Sequence, residues 1–239
     1  MNYVKFLLSL LILFSSNLFA FTLTTHSWLV ADGEGNILQS ENIHESRSIA
    51  SITKLMTVMI VLDQKLDLNE KISQYTRGEL IKLALIKSDN SAAQQLCDSY
   101  PNGKINCIRA MNEKAVAINM LNTKYVEPTG LSPMNISTAF DLIKLVIAAK
   151  DYPEIVDASK TARISVKLKK KWIFFNNTNP IIGKRHNFIV SKTGYIKAAG
   201  GCIVMMLDTD IGRRVVVVLG SKNTHTRIPE AEFIATQEY

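Results

Sequence analysis

The apolar residues of this 239-residue chain change their period twice along its length, and that order limits the fold more than any other feature. Residues 27–31, a turn-forming Asp32-Gly33-Glu34-Gly35-Asn36 and then Ile37-Leu38-Gln39 read as a strand, a tight turn and a second strand. Near Ala50 the pattern becomes helical. Ile52, Leu55, Met56, Met59, Ile60 and Leu62 recur on one helix face, so Ser51 stands at or near a helix N-terminus. Helical patterning continues over 77–149 with short breaks, through 80–85, 92–96, 105–118 and 138–149. Strand signals return in Phe188-Ile189-Val190 leading into Lys192, in 202–207, and in 215–219 beyond a Thr209-Asp210-Ile211-Gly212 turn. Residues 229–236 read as a closing helix with Pro229 in its first turn.

Strands at both ends of a helical middle mean that one sheet is assembled from remote segments. The expectation is an α/β (α+β) fold: a mostly antiparallel sheet flanked by helices, plus an all-helical lobe near residues 67–150. A ligand would sit in the cleft between sheet and lobe. The sequence contains no internal repeat.

The first twenty residues have the form of a secretory signal: Lys5, an apolar run over 6–14 broken only by Ser9, then Ser15-Ser16-Asn17 and Ala20. Cleavage after Ala20 would leave residues 21–239 as a single domain in the periplasm. No later stretch approaches membrane-spanning length, and little follows the last strand pattern, so no membrane anchor is expected after cleavage. The chain holds 28 basic and 21 acidic residues. An anionic polymer outside the membrane suits that excess, and nucleic acid is a poor partner for an exported chain. The dense cluster Lys167, Lys169, Lys170 and Lys171 reads as a solvated face.

Of the three cysteines, Cys97 and Cys107 lie ten apart around Pro101-Asn102-Gly103, a spacing that a helix-turn-helix could close with a disulfide. Cys202, in an apolar strand pattern, reads as a small buried hydrophobe. The four histidines neither pair with a cysteine nor show zinc-site spacing, so no metal or cofactor is expected.

Three short words carry chemistry: Ser51-Ile52-Thr53-Lys54, Ser88-Asp89-Asn90 and Lys192-Thr193-Gly194. Serine is a poor nucleophile until a base takes its proton. Ser51 and Lys54 are three apart, so a helix points both the same way. A desolvated lysine near a second cation, for which Lys192 is the candidate, loses basicity enough to serve as that base. Ser88 would pass a proton to the departing amine, and Asn90 would orient Lys54 or the substrate amide. Lys192 and the Thr193 hydroxyl would bind a substrate carboxylate, while Gly194 would admit the substrate backbone as an added strand. Backbone N–H groups of Ser51 and Tyr195 would form an oxyanion hole. The S-x-N pattern also occurs at Ser15-Ser16-Asn17, Ser40-Glu41-Asn42 and Ser221-Lys222-Asn223, which are read as chance matches.

With these words the chain resembles the penicillin-binding D,D-peptidases of the serine β-lactamase/transpeptidase-like fold. It is most similar to the small, soluble D-alanyl-D-alanine endopeptidases of the penicillin-binding protein 7 group. The likeness includes Ser48-Ile49-Ala50-Ser51-Ile52-Thr53-Lys54-Leu55-Met56-Thr57, residues 122–132, and Lys192-Thr193-Gly194-Tyr195 with Ala198-Ala199-Gly200 and Cys202. It implies acylation of Ser51 by a D-Ala-D-Ala-type amide of peptidoglycan, hydrolysis of the acyl-enzyme, and trapping by penicillin. Endopeptidase and carboxypeptidase action share that acyl-enzyme, and the sequence leaves both open. Only 37 positions separate Ser51 from Ser88, shorter than the family's interval, as though a hairpin beside the active site were missing. Two rival readings are a class A-like β-lactamase, with Glu127 as deacylating base, and a non-catalytic sensor of wall peptides.

Overall fold

The computed structural model describes residues 21–168 and 170–239. The proposed signal segment 1–20, with its Ser15-Ser16-Asn17, and Lys169 lie outside the described residues. From the N-terminal side the elements are β1 (Ser27–Asp32), β2 (Ile37–Glu41), β3 (Arg47–Ser48), a 3₁₀ turn (Ala50–Ile52) and α1 (Thr53–Asp63). There follow β4 (Lys71–Ile72), β5 (Tyr75–Thr76), α2 (Arg77–Lys82), a π turn (Leu83–Lys87), α3 (Asn90–Asp98) and α4 (Gly103–Ala117). After β6 (Ile136–Ser137) come α5 (Ala139–Ala149), α6 (Pro153–Lys160), β7 (Arg163–Leu168) and β8 (Lys171–Asn176). The chain closes with β9 (Asn187–Ile196), β10 (Gly200–Thr209), β11 (Gly212–Ser221) and α7 (Arg227–Thr236).

The central sheet has the order β2-β1-β11-β10-β9 and is antiparallel throughout. As the sequence implied, its strands come from both ends of the chain: Val30 stands opposite Val216, and Val204 opposite both Val217 and Lys192. Alternation splits each inner strand between two cores. Leu29, Val204, Met206, Val215 and Val217 face the core that contains α1 and α5. Val30, Ile203, Met205, Val216 and Val218 face the core closed by Ile228, Ala231 and Ile234 of α7. Both faces are covered, which is why 215–219 reads as an unbroken apolar run. α1 is buried from Thr53 to Val61, the environment of a helix at the centre of a fold rather than on its surface.

Three expectations change. The helical stretch 67–150 contains the short β4–β5 ladder and supplies β6 to a second with β3, and its last helix, α5, packs on β10 and β11 rather than in a separate lobe. The helix α6, with Pro153 at its start, was not anticipated. Neither was the β7–β8 hairpin, although Ile164, Val166 and Leu168 alternate with Arg163, Ser165 and Lys167; the consecutive lysines at its turn and the rings that follow mask the period of two. Cys97 and Cys107 form a disulfide between α3 and α4, and Cys202 is free and buried. Among the described residues, no helix is long and apolar enough to cross a membrane.

Candidate active site

Ser51 occupies the middle of the 3₁₀ turn that precedes α1. Its neighbour Ala50 has φ +47°, a backbone conformation that L-residues hold only when the surroundings enforce it. Two glycines do so. A Cβ on Gly130 (φ +84°) would lie 2.0 Å from the Ala50 carbonyl oxygen, and one on Gly194 would lie 2.9 Å from the Ser51 nitrogen. The turn is therefore clasped between residue 130 and strand β9. This revises the reason for Gly194: its missing side chain makes room for the serine's own backbone.

One helical turn on, Lys54 is fully buried. Its Nζ donates to Ser51 Oγ at 2.8 Å, to Asn90 Oδ1 at 2.8 Å and to the Thr129 carbonyl at 2.5 Å. An ammonium has three protons, and these three acceptors match them. Burial lowers the Lys54 pKa to about 8, against the opposing pull of Glu127 and Asp89. Of the two causes expected from the sequence, desolvation is the one that lowers Lys54; Lys192 is not among its causes. Lys192 itself is pushed well below its ordinary range by burial, then by the charges of Lys54 and Arg227.

The second word divides its labour. Ser88 ends the π turn in a left-handed conformation, φ +60°. Asp89 caps α3 by accepting from the Ala92 N–H at 2.9 Å and takes an ion pair from Lys87 at 2.7 Å. With the cap supplied by Asp89, Asn90 on the first turn is left to bind Lys54. The third word lies on β9, the edge strand of the sheet. Lys192, 1% exposed, donates to Ser88 Oγ at 2.8 Å and to the Thr193 carbonyl at 2.9 Å. It supports Ser88 from beneath the cleft wall, whereas Thr193, whose hydroxyl donates to Thr178 Oγ1 at 2.7 Å, lines it.

The resulting cleft is lined by Ser51, Ser88, Asn90, Leu131, Thr178, Thr193, Gly194, Tyr195, Thr224 and Arg227. All three words thus meet around one hydroxyl. Sequence reasoning missed Thr129, Thr178, Thr224 and Arg227. Arg227, from α7, donates to the Gly194 carbonyl at 2.6 Å, and its Nε has no partner. Nothing in a lone arginine of a closing helix signals such a place; Thr178, between two asparagines just after β8, carried a weak turn signal.

Glu127 has another duty. Its carboxylate accepts from the Thr129 N–H (2.7 Å) and hydroxyl (2.6 Å), the Gly130 N–H (2.7 Å) and the Asn135 amide (2.8 Å). It brackets the loop that delivers the Thr129 carbonyl to Lys54, with both oxygens engaged. Of the other S-x-N matches, Ser40-Glu41-Asn42 lies at the end of exposed β2, and Ser221 donates to Glu230.

Solved structures share this fold. The Streptomyces K15 DD-transpeptidase superposes with a TM-score of 0.83 at 23% identity, over 89% of this chain and 96% of that one. Penicillin-binding protein D2 of Listeria monocytogenes, in an ampicillin-bound form, gives 0.80 at 24% identity, over 90% and 96%. By sequence, the D-alanyl-D-alanine endopeptidase of Pseudomonas aeruginosa is 40% identical over 87% of this chain and 75% of its own length. That of Escherichia coli strain K12 is 38% identical over 80% and 69%. The profile described as D-alanyl-D-alanine carboxypeptidase matches residues 15–73 and 66–223. The three words, their convergence and these matches together show that the chain belongs to the D-alanyl-D-alanine carboxypeptidase family of serine peptidases.

Proposed function

We propose that this protein is a serine-type D-alanyl-D-alanine peptidase that opens peptide cross-links of peptidoglycan from outside the cytoplasmic membrane. The observation that carries the reading is the 2.8 Å contact between Lys54 Nζ and Ser51 Oγ in a cleft walled by Ser88, Asn90 and Thr193. Neutral Lys54 accepts the Ser51 proton as Oγ attacks the carbonyl carbon of the scissile amide. The tetrahedral oxyanion lies against the backbone N–H groups of Ser51 and Tyr195. Collapse breaks the C–N bond, and the leaving amine receives a proton through Ser88, whose hydroxyl is held by Lys192. Water then attacks the Ser51 ester, regenerating the serine and releasing the acid. Thr193 and Arg227 hold the carboxylate of the substrate or of a β-lactam, and the free edge of β9 takes the peptide as an added strand.

Cross-link cleavage is preferred to trimming of terminal D-alanine because the relatives at 40% and 38% identity are both endopeptidases, whereas the carboxypeptidases of Bacillus subtilis and Escherichia coli stand at 24% and 26%. An oxidising compartment suits the Cys97–Cys107 disulfide and the signal-like N-terminus. Incubation with purified peptidoglycan and separation of the fragments tests the whole reading. Loss of cross-linked dimers is expected; loss only of terminal D-alanine from pentapeptide monomers would make the enzyme a carboxypeptidase. Fluorescent penicillin should label the native protein and not Ser51→Ala. Absence of label on the native protein would favour a non-catalytic sensor.

A further inference from the structure

The β7–β8 hairpin presents an outer surface unlike the rest of the molecule. Trp172 and Phe174 point from one face of β8, 59% and 55% exposed, and Ile173 on the opposite face is 37% exposed near the tip. Cations stand beside the rings: Lys167 Nζ lies 6.0 Å from the Trp172 centroid and Arg163 Cζ 4.4 Å from that of Phe174. Lys170 and Lys171 are exposed at the turn. The base of the hairpin is fixed, with Val166 buried and Ile164 and Phe175 packed against the main core. Between Asp157 and Asp208 the sequence holds ten lysines and arginines and no acidic residue. A hairpin with exposed rings on its outer face, lysines at its turn and no acidic residue in its own sequence is matched by an anionic surface with an apolar layer beneath it.

We infer that this hairpin docks the protein peripherally on a bilayer bearing anionic lipids, with Trp172 and Phe174 at the headgroup level and the lysines on lipid phosphates. Indole and phenyl rings settle at the membrane interface, and each nearby basic residue adds attraction to anionic headgroups. Trp172 and Phe174 share one face, but each has a cation beside its ring, which suits anionic headgroups better than the neutral face of a sugar. β8 runs directly into Thr178 of the cleft wall, so docking would hold the cleft at a fixed height and orientation above the membrane. Such attachment is reversible and needs no membrane-spanning helix.

The test is sedimentation of the purified protein with vesicles of phosphatidylglycerol and phosphatidylethanolamine, and with phosphatidylcholine alone. Binding is expected to the anionic vesicles only and to be lost at high salt. The emission of Trp172 should shift to the blue; Trp28, 7% exposed, changes little, and Trp172→Phe removes the shift. Lys167→Gln/Lys170→Gln/Lys171→Gln should weaken binding on the order of a hundredfold. All variants should still be labelled by fluorescent penicillin, which shows that they fold and keeps this result separate from the catalytic one. No binding to anionic vesicles, binding unchanged in the triple variant, or capture by purified peptidoglycan sacculi without vesicle binding would overturn the inference.

Discussion

Lys54 titrates near 10.5 in an unfolded chain and near 8 in the folded one, because burial opposes its charge. Between those values the unfolded chain binds more protons, so this group's contribution to stability rises with pH across that window. Below about 8 its full cost, roughly 3 kcal/mol, is present. The same shift makes it a base: acylation by a β-lactam should rise with pH through about 8 as Lys54 loses its proton. A rate flat from neutral to alkaline pH would remove Lys54 from that role. Lys54→Met should lower acylation by at least ~10²-fold, yet at pH 7 its urea-denaturation stability should fall within about 1 kcal/mol of the native protein, since the lost hydrogen bonds are offset by a discharged core. Glu127 supplies the contrast. If it only brackets residues 129–135, Glu127→Gln should cost ~1–3 kcal/mol of stability and leave the decay rate of the penicilloyl-enzyme unchanged within a few fold. A selective collapse of that decay would restore the β-lactamase reading. At this scale the sequence was informative, because Ser51, Lys54, Ser88 and Asn90 announce themselves by type and spacing. The backbone carbonyl of Thr129 is chemically anonymous and could not.

Among the elements, the 3₁₀ turn depends on partners that contribute no functional group. Gly194→Ala would place a methyl group 3.0 Å from the Ile49 carbonyl and the Ala50 side chain as well as against the Ser51 nitrogen. The turn must then shift by tenths of an ångström. Because acyl transfer depends on the placement of attacking oxygen and oxyanion donors, acylation should fall on the order of 10²-fold with the fold retained, judged by unchanged circular dichroism. Normal acylation in that variant would mean that strand β9 does not position the turn. The disulfide acts at the far end of α3 from Asn90. In the chain-entropy estimate, a closed loop of this length is worth about 3 kcal/mol. Cys97→Ala/Cys107→Ala should therefore lower urea stability by roughly 2–3 kcal/mol while leaving penicillin labelling intact. Element identities followed from apolar spacing in α1 and α3 and from unbroken apolar runs in β10 and β11. The β7–β8 hairpin was passed over because its outer face carries rings and lysines in place of the usual polar alternation.

For the molecule as a whole, the sheet order β2-β1-β11-β10-β9 seats the closing helix α7 on β10 and β11, from where Arg227 reaches the Gly194 carbonyl of the edge strand that carries Lys192 and Thr193. Strand patterns announced one sheet built from both ends, but no local signal states which remote strands pair, so the place of Arg227 could not be read in advance. Its guanidinium is the charged group among the described residues that line the cleft, and burial holds its pKa below the ordinary arginine range. Lys54 and Lys192 are buried behind the same wall, where burial presses both toward their neutral forms and leaves Arg227 as the standing charge of the site. That arrangement is poorly solvated when empty and is relieved by an anionic ligand. Arg227→Ala should slow acylation by penicillin about 10- to 100-fold, and so should masking the penicillin carboxylate as its methyl ester. If the two groups meet, the variant should distinguish poorly between acid and ester, because one interaction cannot be lost twice. Second-order acylation rates of both proteins with both ligands complete the cycle. Additive losses would mean that the guanidinium and the carboxylate act separately, leaving the Thr193 hydroxyl to bind the ligand's charge.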